Sequence, residues 1–215
     1  MKYKLFNWFA KLTGWPAALL LFRAKVIYED PGNKRAYLKG PVVIVSNHMS
    51  IFDYVQIMFV FFWRTVRFQT AEVLYRKKGL ARLLKMLGAV YVDRDAKDFG
   101  FVPKSEEILD NGGALGIFPE SRLPLEGEER PLEFKPSAAY IALAMNVPVI
   151  PVYTDGRYFK IFKRPHVMVG KPLDLFEWYD PDVPERQNLA VCSEKLREAV
   201  KSLGESMEEK LHSGK

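Results

Sequence analysis

The sequence predicts an α/β domain built on a mostly parallel sheet flanked by helices, preceded by an amino-terminal helical arm. Three observations carry that prediction. Short apolar, β-branched runs recur at residues 41–45, 66–69, 89–92, 115–118, 149–152 and 167–169, and runs of this length and composition read as buried strands. Helical patterns at 80–87, 105–109 and 137–145 lie between several of them, and strands alternating with helices indicate crossovers that leave the strands parallel. The first 25 residues differ from the rest: they hold Lys2, Lys4, Lys11, Arg23 and Lys25 but no Asp or Glu.

In residues 3–12, Leu5, Phe6, Trp8, Phe9 and Leu12 recur at helical spacing and make one apolar face. Gly14 is expected to end this helix and Pro16 to open a second short one, because proline suits a first helical turn. Asp30-Pro31-Gly32-Asn33 is a turn signal. It divides the chain into a helical arm, residues 1–40, and an α/β domain, residues 41–215. The longest uncharged stretch of the arm, residues 12–22, is eleven residues, against the roughly 20 apolar residues needed to cross a bilayer. Basic residues flanking aromatic and aliphatic ones suit a helix lying on an anionic membrane surface. The alternative is an ordinary helix packed on the domain. On the first reading the arm can be deleted without unfolding the rest, and the protein sits peripherally on the cytoplasmic side of the membrane.

Within the domain, Pro41-Val42-Val43-Ile44-Val45 is a buried strand that stops at Ser46-Asn47-His48. Ser50 then opens a strongly apolar helix running to about residue 63. Near the carboxyl terminus, Leu189, Cys192, Leu196, Val200, Leu203 and Met207 stand three or four apart, the pattern of an amphipathic helix covering the sheet. Cys192 on that face is a packing residue.

Hydrophobic residues make up 48% and charged residues 27% of 215 positions, the balance of a globular chain with one well-buried core. One cysteine excludes an internal disulfide and any CxxC metal site, and fits a reducing, cytoplasmic setting. The formal net charge of +6 calls for an anionic partner. Its concentration among aromatic residues at the amino terminus favours lipid over nucleic acid.

In α/β sheets ligands bind beyond the carboxyl ends of strands, where His48 is expected. A neutral imidazole is the usual general base near neutral pH, and a carboxylate fixes its tautomer. The helix starting at Ser50 can turn Asp53 back toward His48. Ser50 and Asp53 also form an S-x-x-D capping box, in which Asp53 only secures a helix start. There is no G-x-S-x-G elbow and no reactive cysteine, so no covalent nucleophile is evident.

Asn47-His48-Met49-Ser50-Ile51-Phe52-Asp53 resembles the NH-x4-D motif of the 1-acylglycerol-3-phosphate acyltransferase (lysophosphatidate acyltransferase) family. Further blocks follow in the family's order. Gly88-Ala89-Val90-Tyr91-Val92-Asp93-Arg94 looks like the second, Phe118-Pro119-Glu120-Ser121-Arg122 is similar to the third, usually FPEGTR, and Val147-Pro148-Val149-Ile150-Pro151-Val152 to the fourth. Phe134-Lys135-Pro136-Ser137-Ala138-Ala139 is also family-like. The resemblance covers about residues 40–172.

It implies an O-acyltransferase. His48 deprotonates a glycerol hydroxyl that attacks the thioester of acyl-CoA or acyl-carrier protein, while Asp53 orients His48. Arg94, Glu120 and Arg122 bind the lysophospholipid acceptor. The donor is a substrate, and no cofactor or metal is implied. Two departures stand out. Arg122 follows Glu120 by two residues where the family has three, with Ser121 at the usual glycine. Ala71-Glu72 replaces a lysine–glutamate pair, with Arg94, Lys77, Lys78 and Lys85 nearby as substitutes or as a solvated basic surface. The acceptor is therefore 1-acylglycerol-3-phosphate, giving phosphatidate, or another lysophospholipid or hydroxylated lipid. The apolar helix at 54–63 is a core helix, a wall of the acyl channel, or both.

Overall fold

The computed structural model describes residues 2–33, 39–94, 99–159 and 164–213. Helix α1 (Lys2–Leu21) and strand β1 (Lys25–Tyr28) come first, then β2 (Val42–Ser46), α2 (Asp53–Val60), β3 (Val66–Ala71), α3 (Lys78–Leu87) and β4 (Val90–Val92). They are followed by α4 (Phe101–Asp110), β5 (Ala114–Ile117), α5 (Ser137–Ala144), β6 (Val149–Thr154), β7 (His166–Val169) and α6 (Glu185–Ser213). The strands form one seven-stranded sheet in the order β1-β7-β6-β2-β5-β3-β4. Every pairing is parallel except β6 with β7. This is the α/β architecture that alternating strands and helices predict.

β2 lies at the centre of the sheet and is buried along its whole length. Its side chains alternate between two cores, as the two-residue strand repeat demands. Val43 and Val45 pack with Leu115, Ile141, Cys192 and Leu196 on the face covered by α4, α5 and α6. Val42 and Ile44 pack with Ile57, Phe61 and Phe68 on the face covered by α2. Cys192 is fully buried on the α6 face, in keeping with a packing role. Gly116 has a steric reason: a Cβ there would stand 2.3 Å from the Phe68 ring. Gly88 ends α3 in the left-handed region, φ 76°, which glycine adopts without strain.

The arm departs from expectation in three ways. Gly14 does not end a helix and Pro16 does not start one; α1 runs unbroken through both. Pro16 lacks the N–H that would bond Leu12, but both residues lie on the exposed side of α1, where the orphaned carbonyl can turn to water. Secondly, β1 joins the sheet edge, with Lys25 to Tyr28 in parallel register with His166 to Val169. Residues 25–28 therefore belong to the sheet, although a boundary at 40 places them with the arm; residues 34–38 beside that boundary lie outside the described residues. The turn predicted at 30–33 is present, with Asp30 accepting from the Gly32 amide at 3.0 Å.

Thirdly, α1 turns polar residues inward and apolar ones outward. Asn7 and Lys11 are buried, while Leu5, Phe9 and Leu12 are 75%, 60% and 62% exposed. Lys11 Nζ donates to the carbonyls of Phe61, Phe62 and Arg64 at 3.2, 2.9 and 2.6 Å. A cation on the carbonyls that follow the end of α2 is favourable. Burial opposes its charge and lowers the Lys11 pKa to about 8. Asn7 donates to the Leu87 carbonyl at the end of α3. Trp8 and Trp15 close the seam against Phe62 at ring separations of 5.8 and 4.9 Å. No helix among the described residues is long and apolar enough to cross a membrane.

Candidate active site

Because β2 is central, its carboxyl end opens between the ends of β5 and β6. Asn47 continues the ladder with its side chain: Nδ2 donates to the Thr154 carbonyl at 2.9 Å, and Oδ1 accepts from the Thr154 amide at 2.8 Å. The chain then turns outward at His48.

His48 Nδ1 lies 2.8 Å from Asp53 Oδ2. The same oxygen accepts from the amides of Met49 and Ser50 at 2.7 and 2.8 Å. The two readings of Asp53 are thus one arrangement. Reaching back to the Ser50 amide is half of a capping box, and that geometry also presents the carboxylate to the imidazole. α2 begins at Asp53 and not at Ser50, because residues 50–52 form the turn that makes this reach possible. Asp53 is completely buried and His48 is 13% exposed at its side chain. With Nδ1–H given to the carboxylate, the lone pair of Nε2 is free to accept a proton. Phe118 stacks on the imidazole at 4.5 Å and Tyr54 meets it edge-on at 6.0 Å, so the ring has little freedom to rotate.

Two further groups complete the support. Tyr158 donates to Asp53 Oδ1 at 2.5 Å and lies 3.0 Å from the Thr154 hydroxyl. Burial, and then the Asp53 charge, push the Tyr158 pKa far up, so it stays a donor. Glu120 Oε1 accepts from the His48 amide at 2.8 Å and Oε2 from the Leu132 amide at 3.1 Å. At 3% exposure, Glu120 ties the His48 turn to the loop after β5 and presents no carboxylate face to solvent. Its pKa is raised by burial, against the pull of those two amides.

The arginines stand at the rim. Arg94 pairs with Glu72 at 2.8 Å and donates to the Ser121 carbonyl at 2.8 Å, fixing the end of β4 to the shortened third block. That hydrogen bond to Arg94 holds the Glu72 pKa down, at about 2. Ser121 has φ 61°, a backbone state that favours glycine, the residue usual at this place in the resembling family. Arg122 is exposed and forms a two-pronged pair with Glu128, 2.7 Å at each prong. Arg130, unremarked in the sequence, brings Nη1 to 3.8 Å from Met49 Sδ, next to His48. The structure thus gathers His48, Asp53 and Glu120 into one connected unit, with Arg94 and Arg122 in the adjoining loops. Tyr158 and Arg130 are the additions, and no local sequence pattern pointed to either.

An oriented imidazole whose second nitrogen has no hydrogen-bond partner among the described residues, at the carboxyl end of a central parallel strand, defines an α/β protein equipped for general-base chemistry. The chain belongs to the acyltransferase family, whose profile matches residues 25–155, from β1 through His48, Asp53, Glu120 and Arg122. Tyr158 lies just beyond that match.

Human 1-acyl-sn-glycerol-3-phosphate acyltransferase beta is 28% identical over 145 residues, which are 66% of this chain and 51% of the human one. The 1-acyl-sn-glycerol-3-phosphate acyltransferase of Bacillus subtilis is 24% identical over 195 residues, 86% of this chain and 95% of that protein. The chain therefore spans about half the length of the human relative and nearly all of the bacterial one. The crystal structure of the 1-acyl-sn-glycerophosphate (LPA) acyltransferase PlsC from Thermotoga maritima superposes with a TM-score of 0.63 at 22% identity, covering 94% of this chain and 81% of that one. It shares the fold.

Proposed function

We propose that the chain transfers a fatty acyl group from acyl-CoA or acyl-carrier protein to the free hydroxyl of 1-acylglycerol-3-phosphate, giving phosphatidate. The observation that carries this reading is the 2.8 Å contact between His48 Nδ1 and a completely buried Asp53 carboxylate. It leaves Nε2 as the ring nitrogen able to take a proton. The names of the relatives supply the substrate class.

In the proposed reaction, Nε2 takes the hydroxyl proton as the oxygen attacks the thioester carbonyl carbon. The tetrahedral adduct then collapses, the carbon–sulfur bond breaks, and the imidazolium returns its proton to the leaving thiolate. Asp53 holds the ring and stabilises the transient imidazolium. Arg122, Arg94 and Arg130 are the cations at the rim suited to the acceptor phosphate, because a guanidinium fork matches phosphate oxygens. The outward apolar face of α1, with Trp63 72% exposed beside Trp8, supports a peripheral position on an anionic membrane surface, and the single cysteine fits its cytoplasmic side.

The Arg122–Glu128 pair favours a second reading, in which the acceptor is another lysophospholipid or hydroxylated lipid. A phosphomonoester must displace Glu128 to take both prongs of Arg122, and a neutral acceptor need not. Incubation of the purified protein with labelled acyl donor and a panel of acceptors, with and without the phosphomonoester, tests both. Labelled phosphatidate supports the first reading, and products from other acceptors alone support the second. Free fatty acid as the only product would mean hydrolysis and defeat both.

A further inference from the structure

Away from His48, the amino-terminal half of α1 and the outer face of α3 enclose an open cavity of about 1410 Å³. Its inner wall includes Arg67, Gly88 and Ala89, which stand at the amino ends of β3 and β4. His48 projects from the opposite end of the sheet. Arg67 and Val43 share the same β5 partner, Leu115, so Arg67 is level with a residue that precedes His48 by about 16 Å of strand.

The cavity rim is cationic. Lys2, Arg67, Lys78, Arg82, Lys85 and Lys104 line it, and no acidic residue does among the described residues. Arg67 is fixed by a hydrogen bond to the Gly88 carbonyl at 2.6 Å and by stacking on Tyr3 at 4.5 Å. None of the other cations has an ion-pair partner among the described residues. Lys78, Arg82 and Lys85 are spaced four and three apart on α3, which stacks their like charges on one helix face and disfavours the helix until an anion arrives.

The rest of the wall is apolar. Leu5, Phe6, Phe9 and Met86 belong to it, and Leu5 and Phe9 continue outward into the exposed band of Leu12 and Trp63. A free phosphate ion has no use for such a wall. An acidic protein surface would meet protruding charge better than a cleft walled by phenylalanine. A phosphate carried on acyl chains satisfies both halves of the site: its headgroup among the α3 cations and its chains along α1 toward the exposed band.

We propose that this cavity is a second lipid site, which binds the phosphate headgroup of an anionic diacyl phospholipid separately from the acceptor at His48. The site joins α1 to α3 through a bound lipid and sets the docked helix in register with the bilayer. It does not rest on the acyl-transfer reading, since a lipid that is neither the proposed acceptor nor the proposed product can probe it.

The full chain is titrated calorimetrically with water-soluble dihexanoylphosphatidylglycerol and, separately, with dihexanoylphosphatidylcholine. Saturable binding of the glycerol lipid, at least about tenfold tighter than the zwitterionic one, is expected from several basic residues acting together. The exposed double variant Arg82→Glu/Lys85→Glu should bind it about thirtyfold more weakly, and Lys78→Gln about fivefold more weakly. Far-ultraviolet circular dichroism confirms that each is folded, and His48→Ala should bind like the parent. Equal binding of the two lipids, or unchanged affinity in folded Lys78→Gln and in the double variant, overturns the proposal. So does loss of binding in His48→Ala, which would place the lipid at the reaction centre. Inorganic phosphate binding as tightly as the lipid reduces the cavity to a simple anion site and overturns it too.

Discussion

Tyr158 places its hydroxyl 2.5 Å from Asp53 Oδ1, the carboxylate oxygen that does not face His48. Asp53 thereby receives four donors, three on Oδ2 and one on Oδ1, and a completely buried charge is satisfied without a basic partner. Hydrogen bonds to the ionised form offset the desolvation that burial imposes.

Tyr158→Phe removes one of those donors while keeping the ring against Phe22. A buried acceptor left unpaired costs about 1–3 kcal/mol, so the melting temperature should fall. As a positioning residue that touches no substrate, Tyr158 should affect kcat and leave the acceptor KM nearly unchanged, with a loss of roughly tenfold if about 1.4 kcal/mol reaches the transition state. A folded variant with unchanged kcat would show that the tyrosine supports stability alone.

His48→Ala should lower turnover by about 10²–10⁴-fold, the usual contribution of a general base, while the fold survives because His48 stands in the turn beyond β2, outside the two cores. Asp53→Asn is the more telling change. All four neighbours of the carboxylate donate, so an amide must point its own N–H at one of them. With its N–H toward the Tyr158 hydroxyl, which can turn to accept it, the amide keeps the other three donors but loses the negative charge that stabilises the imidazolium. In the opposite flip the imidazole turns to the wrong tautomer or a backbone donor is lost. Turnover should fall by a similar factor, with loss of thermal stability as well. Near-normal activity in a folded Asp53→Asn protein would reduce Asp53 to a helix cap and sink the dyad.

The dyad was legible because its parts are close in sequence: His48 and Asp53 are five residues apart, at the end of an unmistakable buried strand. Tyr158 was not, since it meets Asp53 across 105 residues and only the folded sheet brings the ends of β2 and β6 together. The strand pattern succeeded for the buried strands and failed for β1. Lys25-Val26-Ile27-Tyr28 is a short edge strand, and its basic neighbours gave it the character of the arm. Lys11 misled for the same reason. It reads as membrane-facing charge until its carbonyl partners, 50 to 53 residues away, are in view.

Arg122 and Glu128 make a separable prediction. Their pair is exposed and its guanidinium is already engaged, so a phosphate-bearing acceptor must compete with Glu128. Glu128→Gln should lower the apparent KM for lysophosphatidate, whereas Arg122→Ala should raise it and hardly affect a neutral acceptor. Equal damage by Arg122→Ala across all acceptors would assign that arginine to the folding of the shortened loop.

Lys11 predicts a pH dependence of stability. Its pKa is lowered to about 8 in the folded protein from 10.5, so between those values the unfolded chain binds the extra proton. Stability then rises with pH. The charging penalty is full below pH 8 and is relieved as pH climbs toward 10.5, a gain of at most about 3 kcal/mol at 1.36 kcal/mol for each pH unit of displacement. Lys11→Met lacks that titration and serves as the reference. In denaturant melts, the stability of the parent relative to Lys11→Met should increase from pH 8 to 10.5. A flat difference would mean that the carbonyl cage holds the ammonium charged across the range.

The amino-terminal helix yields the last prediction, and here the structure reverses an expectation drawn from composition. Deleting residues 1–25 removes Lys11 from the end of α2, Asn7 from the end of α3, and Trp8 and Trp15 from their aromatic seam. Each buried carbonyl left bare costs about 1–3 kcal/mol, so the truncated chain should be destabilised or insoluble and cannot test membrane binding. The outward face can. Leu5, Phe9 and Leu12 are well exposed, so replacing them together with glutamine removes little packing within the protein. Full burial of such side chains in a membrane contributes about 1.5–3 kcal/mol each. The triple variant should therefore melt like the parent yet sediment far less with anionic vesicles, and act poorly on a bilayer-held acceptor while sparing a short-chain soluble one. High salt should weaken vesicle binding of the parent only in part, because screening acts on its charges and not on these apolar contacts. Undiminished sedimentation of the folded triple variant would put the membrane contact on another face of the molecule.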